Sequence, residues 1–236
     1  MLSTVVDLRG NLARLTDEIA DLAIRAGRRA DEITLVGISK TQPAAAIIEV
    51  VRAGLRHVGE NRVQEAAAKL PSVRQMLAGA ELPTFHLVGH LQTNKAAGAV
   101  ELFDRIDSVN SVKLAQALSR RLTDGAELPV LIEVYVGDDP ERPGLRPEPL
   151  VDVVGQILEV QGLRVEGLMT IAPIGADARA AFAHVHTMKQ TLSEMFPRVH
   201  FGVLSMGMSD DYPAAIAEGS TEVRLGTALF GPRQPR

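Results

Sequence analysis

The sequence contains no cysteine and no tryptophan, and aromatic residues make up only 3% of it. Without cysteine there is no disulfide framework, no thiolate metal site and no thiol nucleophile. With so few aromatics the core has to be aliphatic, and there is no stacking platform for single-stranded nucleic acid. A large charge of one sign is missing too. Lys and Arg number 25 against 29 Asp and Glu, a formal net charge of −4 that argues against nucleic acid and against an anionic membrane as partners. No run approaches the roughly 20 apolar residues of a membrane-spanning helix. The stretch from Met1 to Arg28 lacks the basic segment and apolar run of a signal peptide, so the cytoplasm is the expected compartment. What is present is ordinary for a globular protein: 236 residues, 46% hydrophobic and 23% charged. That is enough to bury one core, and the expectation is a single domain over residues 1–236.

Val5, Leu8, Leu12, Leu15, Ile19, Leu22 and Ala26 are spaced by threes and fours, which predicts one face of an amphipathic helix. Thr4 with Asp7 resembles a capping box at its start, and Gly27 can close its end. Ile33–Ser39 is then a short continuous apolar run, the pattern of a strand covered on both faces. Pro43 opens the next helical stretch. The alternation continues, with strands near 33–39, 57–60, 85–88, 105–109, 130–136, 165–171, 200–206 and 222–226. Helical stretches fall near 43–53, 62–70, 92–101, 111–122, 148–159, 177–195 and 210–218. Strands alternating with helices predict parallel βαβ units, hence an α/β protein. Eight units in this length fit a single TIM (β/α)8 barrel, with the N-terminal helix completing the outer ring. The alternative is an open doubly wound sheet, but no Gly-x-Gly-x-x-Gly follows the first strand. Residues 137–149 carry four prolines and read either as a rigid surface connection or as a lid over the barrel mouth.

Barrel enzymes and binding proteins place their chemistry at the carboxyl ends of the strands. Those ends bring together Ser39-Lys40, Glu60-Asn61, Gly89-His90, Asn110, Met169-Thr170, Ser205-Met206-Gly207 and Arg224 through Thr227. Lys40 is the most informative. Partial burial at a barrel rim lowers a lysine's pKa and frees its lone pair for imine formation, although a surface lysine lying along the rim is the plainer reading. Ser205 with Gly207, and Gly226 with Thr227, stand where barrels bind phosphate, though turn chemistry alone also accounts for them. Arg224 shares a side of its strand with Gly226. An amine and a phosphate cup across one mouth suggest a phosphorylated carbonyl compound. Two classes fit: a Schiff-base aldolase on a sugar phosphate, with Glu60 as its nearest carboxylate, or a protein holding pyridoxal 5′-phosphate (PLP). His86 and His90, and His184 and His186, lack metal-ligand spacing, and no metal is expected. Ser209-Asp210-Asp211 reads as a helix start.

Five stretches carry a family resemblance: VGISKTQP (36–43), HVGENRVQE (57–65), FHLVGHLQTNK (85–95), GLMTIAP (167–173) and LSMGMSDDYPAAIAEGSTEVRLGTALFG (204–231). Through them the sequence resembles the PLP homeostasis proteins, also called the proline-synthase co-transcribed family. The resemblance implies a barrel like the N-terminal domain of alanine racemases. It implies that Lys40 holds PLP as a Schiff base, that Asn61 lies beside the ring, and that Ser205, Gly226 and Thr227 cup the phosphate. Arg224 corresponds to the arginine facing the pyridine nitrogen. Met206 and His90 belong to the same motifs as cofactor-binding residues. An arginine at that nitrogen disfavours its protonation and makes the ring a poor stabiliser of carbanions. The resemblance therefore implies a carrier, buffer or regulator of PLP, with PLP-dependent apoenzymes as its partners and indirect effects on amino-acid metabolism. The enzyme alternative is a weak PLP-dependent racemase or lyase. Racemases of this fold add a β-domain and a tyrosine from a second subunit; here the only tyrosines are Tyr135 and Tyr212, and a monomer is expected. The family pattern is broken in the proline-rich loop. Glu141-Arg142-Pro143-Gly144 stands where many members have Ser-Lys-x-Gly, and Arg142 can pair with phosphate but form no imine.

Overall fold

The computed structural model describes residues 6–173 and 175–232. Eight parallel strands close into a barrel in sequence order: β1 (Thr34–Ile38), β2 (His57–Glu60), β3 (Thr84–Leu87), β4 (Arg105–Val109), β5 (Leu128–Val134), β6 (Leu163–Thr170), β7 (Val203–Ser205) and β8 (Glu222–Leu225). Around it lie α1 (Leu8–Arg25), α2 (Ala44–Arg52), α3 (Val63–Met76), α4 (Ala96–Leu102), α5 (Val112–Ser119), α6 (Leu150–Leu158), α7 (Ala178–Met195), α8 (Tyr212–Ala217) and the short α9 (Thr227–Phe230). Helix α1 packs against α2, α8 and α9 and completes the ring. The expected barrel and its alternation are what the chain forms. Among the described residues no helix is long and apolar enough to cross a membrane.

Helix α1 buries Leu8, Leu12, Leu15, Ile19 and Ala23. Ala26, expected on that face, is exposed, because the helix already turns off at Arg25. Its N-cap is Asp7, whose carboxylate accepts from the Gly10 N–H at 2.9 Å. Thr4 and Val5 lie outside the described residues. The largest departure in length is α3, which runs to Met76 through Pro71 instead of stopping near residue 70. A proline within a helix removes one backbone donor. Here Leu70, Val73 and Leu77 are fully buried on either side of it, and that packing carries the helix past the break.

The two faces of the strands differ more than the sequence suggests. A Cβ on Gly37 would meet Leu55 and Leu229 in the outer layer, so its neighbours Val36 and Ile38 face the barrel axis. With Val88 they form a small apolar cluster separate from the main core between strands and helices. Much of the remaining interior is charged, where strand interiors of Val, Ile and Leu were expected. His86, Arg105, Asp107, Glu133, Glu222 and Arg224 are all buried. Toward the amino ends of the strands, Arg105 bonds Asp107 at 2.7 and 2.9 Å and Glu222 at 2.6 and 2.7 Å. Despite burial, Arg105 and His86 hold the Asp107 carboxyl well below its usual range. His86 Nε2 lies 3.0 Å from His57 Nδ1. Burial, followed by His86, brings His57 down to about 4. His86, Asp107 and Glu222 are the group of metal-ligand type among the described residues, and the Arg105 guanidinium already binds both carboxylates.

The proline-rich segment is pinned to the end of β5. Tyr135 N–H donates to the Leu145 carbonyl at 3.0 Å, and Leu145 N–H to that of Glu133 at 2.8 Å. Arg146 lies over the Tyr135 ring, 4.6 Å from its centroid.

Candidate functional site

Strand β1 ends in a tight turn that places half-buried Lys40 at the barrel rim. The Lys40 side chain borders two adjoining hollows. The first, of about 320 Å³, is lined by Ile38, Lys40, Gln42, Met208, Ser209, Asp210, Arg224, Gly226, Thr227 and Gly231. The second, of about 790 Å³, shares Lys40 and Gln42 with it and includes Thr41, Asn61, Arg62 and Glu65.

Arg224 is the buried charged member of the first hollow, and its direction is fixed by three acceptors. Its Nη1 donates to the Ser205 carbonyl at 2.7 Å and to the Ser205 hydroxyl at 2.8 Å. Its Nη2 donates to the Thr170 carbonyl at 2.6 Å. Burial works against the guanidinium charge and lowers its pKa; Glu222, Asp107, Asp211 and Glu133 oppose that. Glu133, inside the barrel on β5, is pushed by burial up to about 7, against a hydrogen bond from Asn110 at 3.2 Å and the charge of Arg224.

The structure thus brings Lys40, Arg224, Gly226 and Thr227 to one hollow and leaves the other expected residues outside its lining. Ser205 is fully buried, and its side chain is occupied by Arg224. The hydroxyl beside Gly226–Thr227 belongs instead to Ser209, which sequence reading assigned to a helix start. Ser209 Oγ accepts from the Ala228 N–H at 3.2 Å and keeps its own proton to donate. Gly207 makes this turn possible: its φ is 97°, and a Cβ there would stand 2.6 Å from that of Ala215. Met206 alternates to the other face of β7 and packs into the main core. His90 is exposed beyond the end of β3. Asn61 lines the second hollow, and its Oδ1 is buried without a partner. Its backbone abuts Gly89, where a Cβ would stand 2.2 Å from the Asn61 carbonyl oxygen. Glu60, the carboxylate of the aldolase alternative, is sequestered under the turn, accepting from Ser39 Oγ and pairing with Lys69 at 2.7 Å. Burial raises its pKa.

The chain, a closed parallel barrel with a lysine after its first strand, matches the family model of the alanine racemase N-terminal domain over residues 11–234 and belongs to that family. Its relatives in Escherichia coli K12 and Pseudomonas aeruginosa are each named pyridoxal phosphate homeostasis protein. Both are 38% identical, over 96% of this chain and 97% of the E. coli protein, and over 98% of this chain and 97% of the P. aeruginosa protein. The motif resemblance to those proteins therefore holds along the whole barrel. Among solved structures, PipY of Synechococcus elongatus with PLP bound superposes with a TM-score of 0.83 at 39% identity, covering 95% of this chain and 100% of that one. An alanine racemase of Clostridium difficile, 16% identical with a TM-score of 0.69, shares the fold over 97% of this chain and 57% of its own.

Proposed function

We propose that this protein binds PLP covalently through Lys40 and serves its homeostasis, holding and releasing the cofactor instead of turning over amino acids. The observation that carries the proposal is that Lys40, Arg224, Ser209 and Gly226–Thr227 line one hollow at the end of the barrel where barrel ligands bind. Its volume is at the small end of the roughly 300–1,000 Å³ of ligand pockets. The naming of the relatives and the PLP-bound PipY structure support the same cofactor.

The donor set suits a phosphorylated aldehyde. Ser209 and Thr227 offer hydroxyl protons, and Gly226 lets backbone approach an anion closely. Lys40 supplies the amine for the aldehyde. When bound, PLP supplies a conjugated electron sink, whose strength depends on the charge at its ring nitrogen. Arg224, assigned to that nitrogen, keeps its proton and its position through Ser205 and Thr170. A fixed positive charge disfavours a second one beside it, and that blunts the electron withdrawal that racemisation and elimination need. Asn61, whose Oδ1 is buried without a partner, lines the second hollow together with Lys40 and offers a hydrogen-bond acceptor there.

The test is to load purified protein with PLP and incubate it with single-enantiomer amino acids, following chirality and keto-acid formation. A yellow protein that releases at most about one product per site is expected. Sustained turnover would make it an enzyme. The phosphate cup has its own check. Ser209→Ala with Thr227→Val removes two donors to a charged group, each worth about 1.5–3 kcal/mol. The expected loss of PLP affinity is at least about 100-fold by absorbance titration. Wild-type affinity in that variant would contradict the cup.

A further inference from the structure

We propose that Lys69, assisted by Glu65, is a positioning residue for Lys40: from α3 the two side chains hold the backbone on both sides of Lys40 in a turn that the local sequence disfavours. The inference rests on the reading of Lys40 as the attachment point.

Ser39–Gln42 form a β-turn closed by the Gln42 N–H on the Ser39 carbonyl at 3.0 Å. Thr41 occupies its third position at φ 64°, the one positive-φ residue other than glycine among those described. A β-branched residue is strained in that region, where turns ordinarily carry glycine or asparagine. Lys69 Nζ donates to the Ser39 carbonyl at 2.7 Å and to the Gln42 carbonyl at 3.3 Å, so one ammonium spans the first and last residues of the turn. It is neutralised by Glu60 at 2.7 Å and by Glu65, four residues before it on α3, at 3.0 Å. Glu65 in turn accepts the Thr41 N–H. Ser39 N–H is taken by the Gly59 carbonyl at 2.9 Å, which ties the start of the turn to β2.

Lys69 is only 9% exposed and Glu60 not at all. Lysine is rarely buried without a partner or a task. A pair four apart on a helix would ordinarily lie in solvent and contribute little. This one points inward and reaches around the residue that carries the reactive amine. Without it, Thr41 is free to relax toward a right-handed conformation, which redirects the Cα–Cβ bond of Lys40. The covalent step consists of the amine adding to the aldehyde carbon and the carbonyl oxygen leaving as water. That step depends on this direction; anchoring of the phosphate at Ser209 and Gly226–Thr227 does not.

The experiment compares PLP with pyridoxine 5′-phosphate, which carries an alcohol where PLP has its aldehyde and so binds without bonding to lysine. In the wild type, borohydride should fix PLP on Lys40, as read by mass spectrometry. Lys69→Met should weaken PLP binding about tenfold or more while changing pyridoxine 5′-phosphate affinity by less than about twofold. Adding Thr41→Gly, which adopts the turn without strain, should recover much of the loss. If Lys69→Met lacks the wild-type circular dichroism, Glu65→Gln, at the partly exposed edge of the cluster, decides by the same comparison, with a loss of about threefold confined to PLP. Equal losses for both ligands, or unaltered PLP binding, would overturn the assignment. Failure of borohydride to fix PLP on Lys40 in the wild type would overturn the attachment reading instead, and the two failures are distinguishable.

Discussion

Lys40→Ala should be colourless after loading with PLP and dialysis, and borohydride treatment should leave its mass unaltered. The covalent link needs an amine at this position, and alanine has none. The fold should survive the change. Lys40 is half-buried at the rim of the barrel, so its loss opens no cavity in the buried core. Substitutions of that kind usually stay within about 1 kcal/mol. For a chain of this size that is a shift in melting temperature of roughly 2–4 °C. Non-covalent binding through Ser209, Thr227 and Arg224 should persist, visible as PLP that exchanges freely. A variant that stays yellow through dialysis would place the attachment on another lysine.

Arg105→Met is expected to have the largest effect on stability. Among the described residues Arg105 is the one cation bonded to both Asp107 and Glu222, and all three are buried. Removing one partner of a buried ion cluster leaves uncompensated charge and costs about 3–5 kcal/mol. That corresponds to a fall in melting temperature of roughly 6–20 °C for a chain of this length. Adding Asp107→Asn and Glu222→Gln should restore part of the loss, because the orphaned charges are then gone. Thermal denaturation followed by circular dichroism measures both. A melting temperature for Arg105→Met equal to that of the wild type would show that water reaches the cluster and that the ion pairs carry little.

The architecture was legible because most strands are short segments rich in Val, Ile and Leu bounded by glycine or polar residues, and they alternate with helical stretches. β2 and β4 fall on the expected residues, and β7 is shorter than expected because only Val203–Ser205 pair with their neighbours. The charged interior was not legible. Alternation within a strand gives two faces, but it does not say which faces the axis, and Arg105-Ile-Asp107 reads equally well as a solvated edge. The site was legible to the level of strand ends. Lys40, Arg224, Gly226 and Thr227 follow from position and motif. Ser205 and Ser209 lie four apart in one motif, and only the direction of each side chain separates the support of Arg224 from the wall of the hollow. Lys69 was missed because a Glu and a Lys four apart on a helix are the usual sign of a surface pair.

The buried ionic girdle of Arg105, Asp107 and Glu222 fills the amino-end half of the barrel interior, so nothing bound at the carboxyl ends can pass along the axis. That half is closed by groups bonded to one another, and the amine with its anion cradle sits under the open lip. Under the proposed reading, a ligand seated against Lys40, Gly226 and Thr227 would enter and leave at the carboxyl ends of the strands. A protein taking the vitamin directly would have to cover that doorway, bringing its own lysine into the place water would otherwise occupy, and it could not dock while a free molecule was entering. On the proposed carrier role, loading and delivery through this mouth would exclude each other in time.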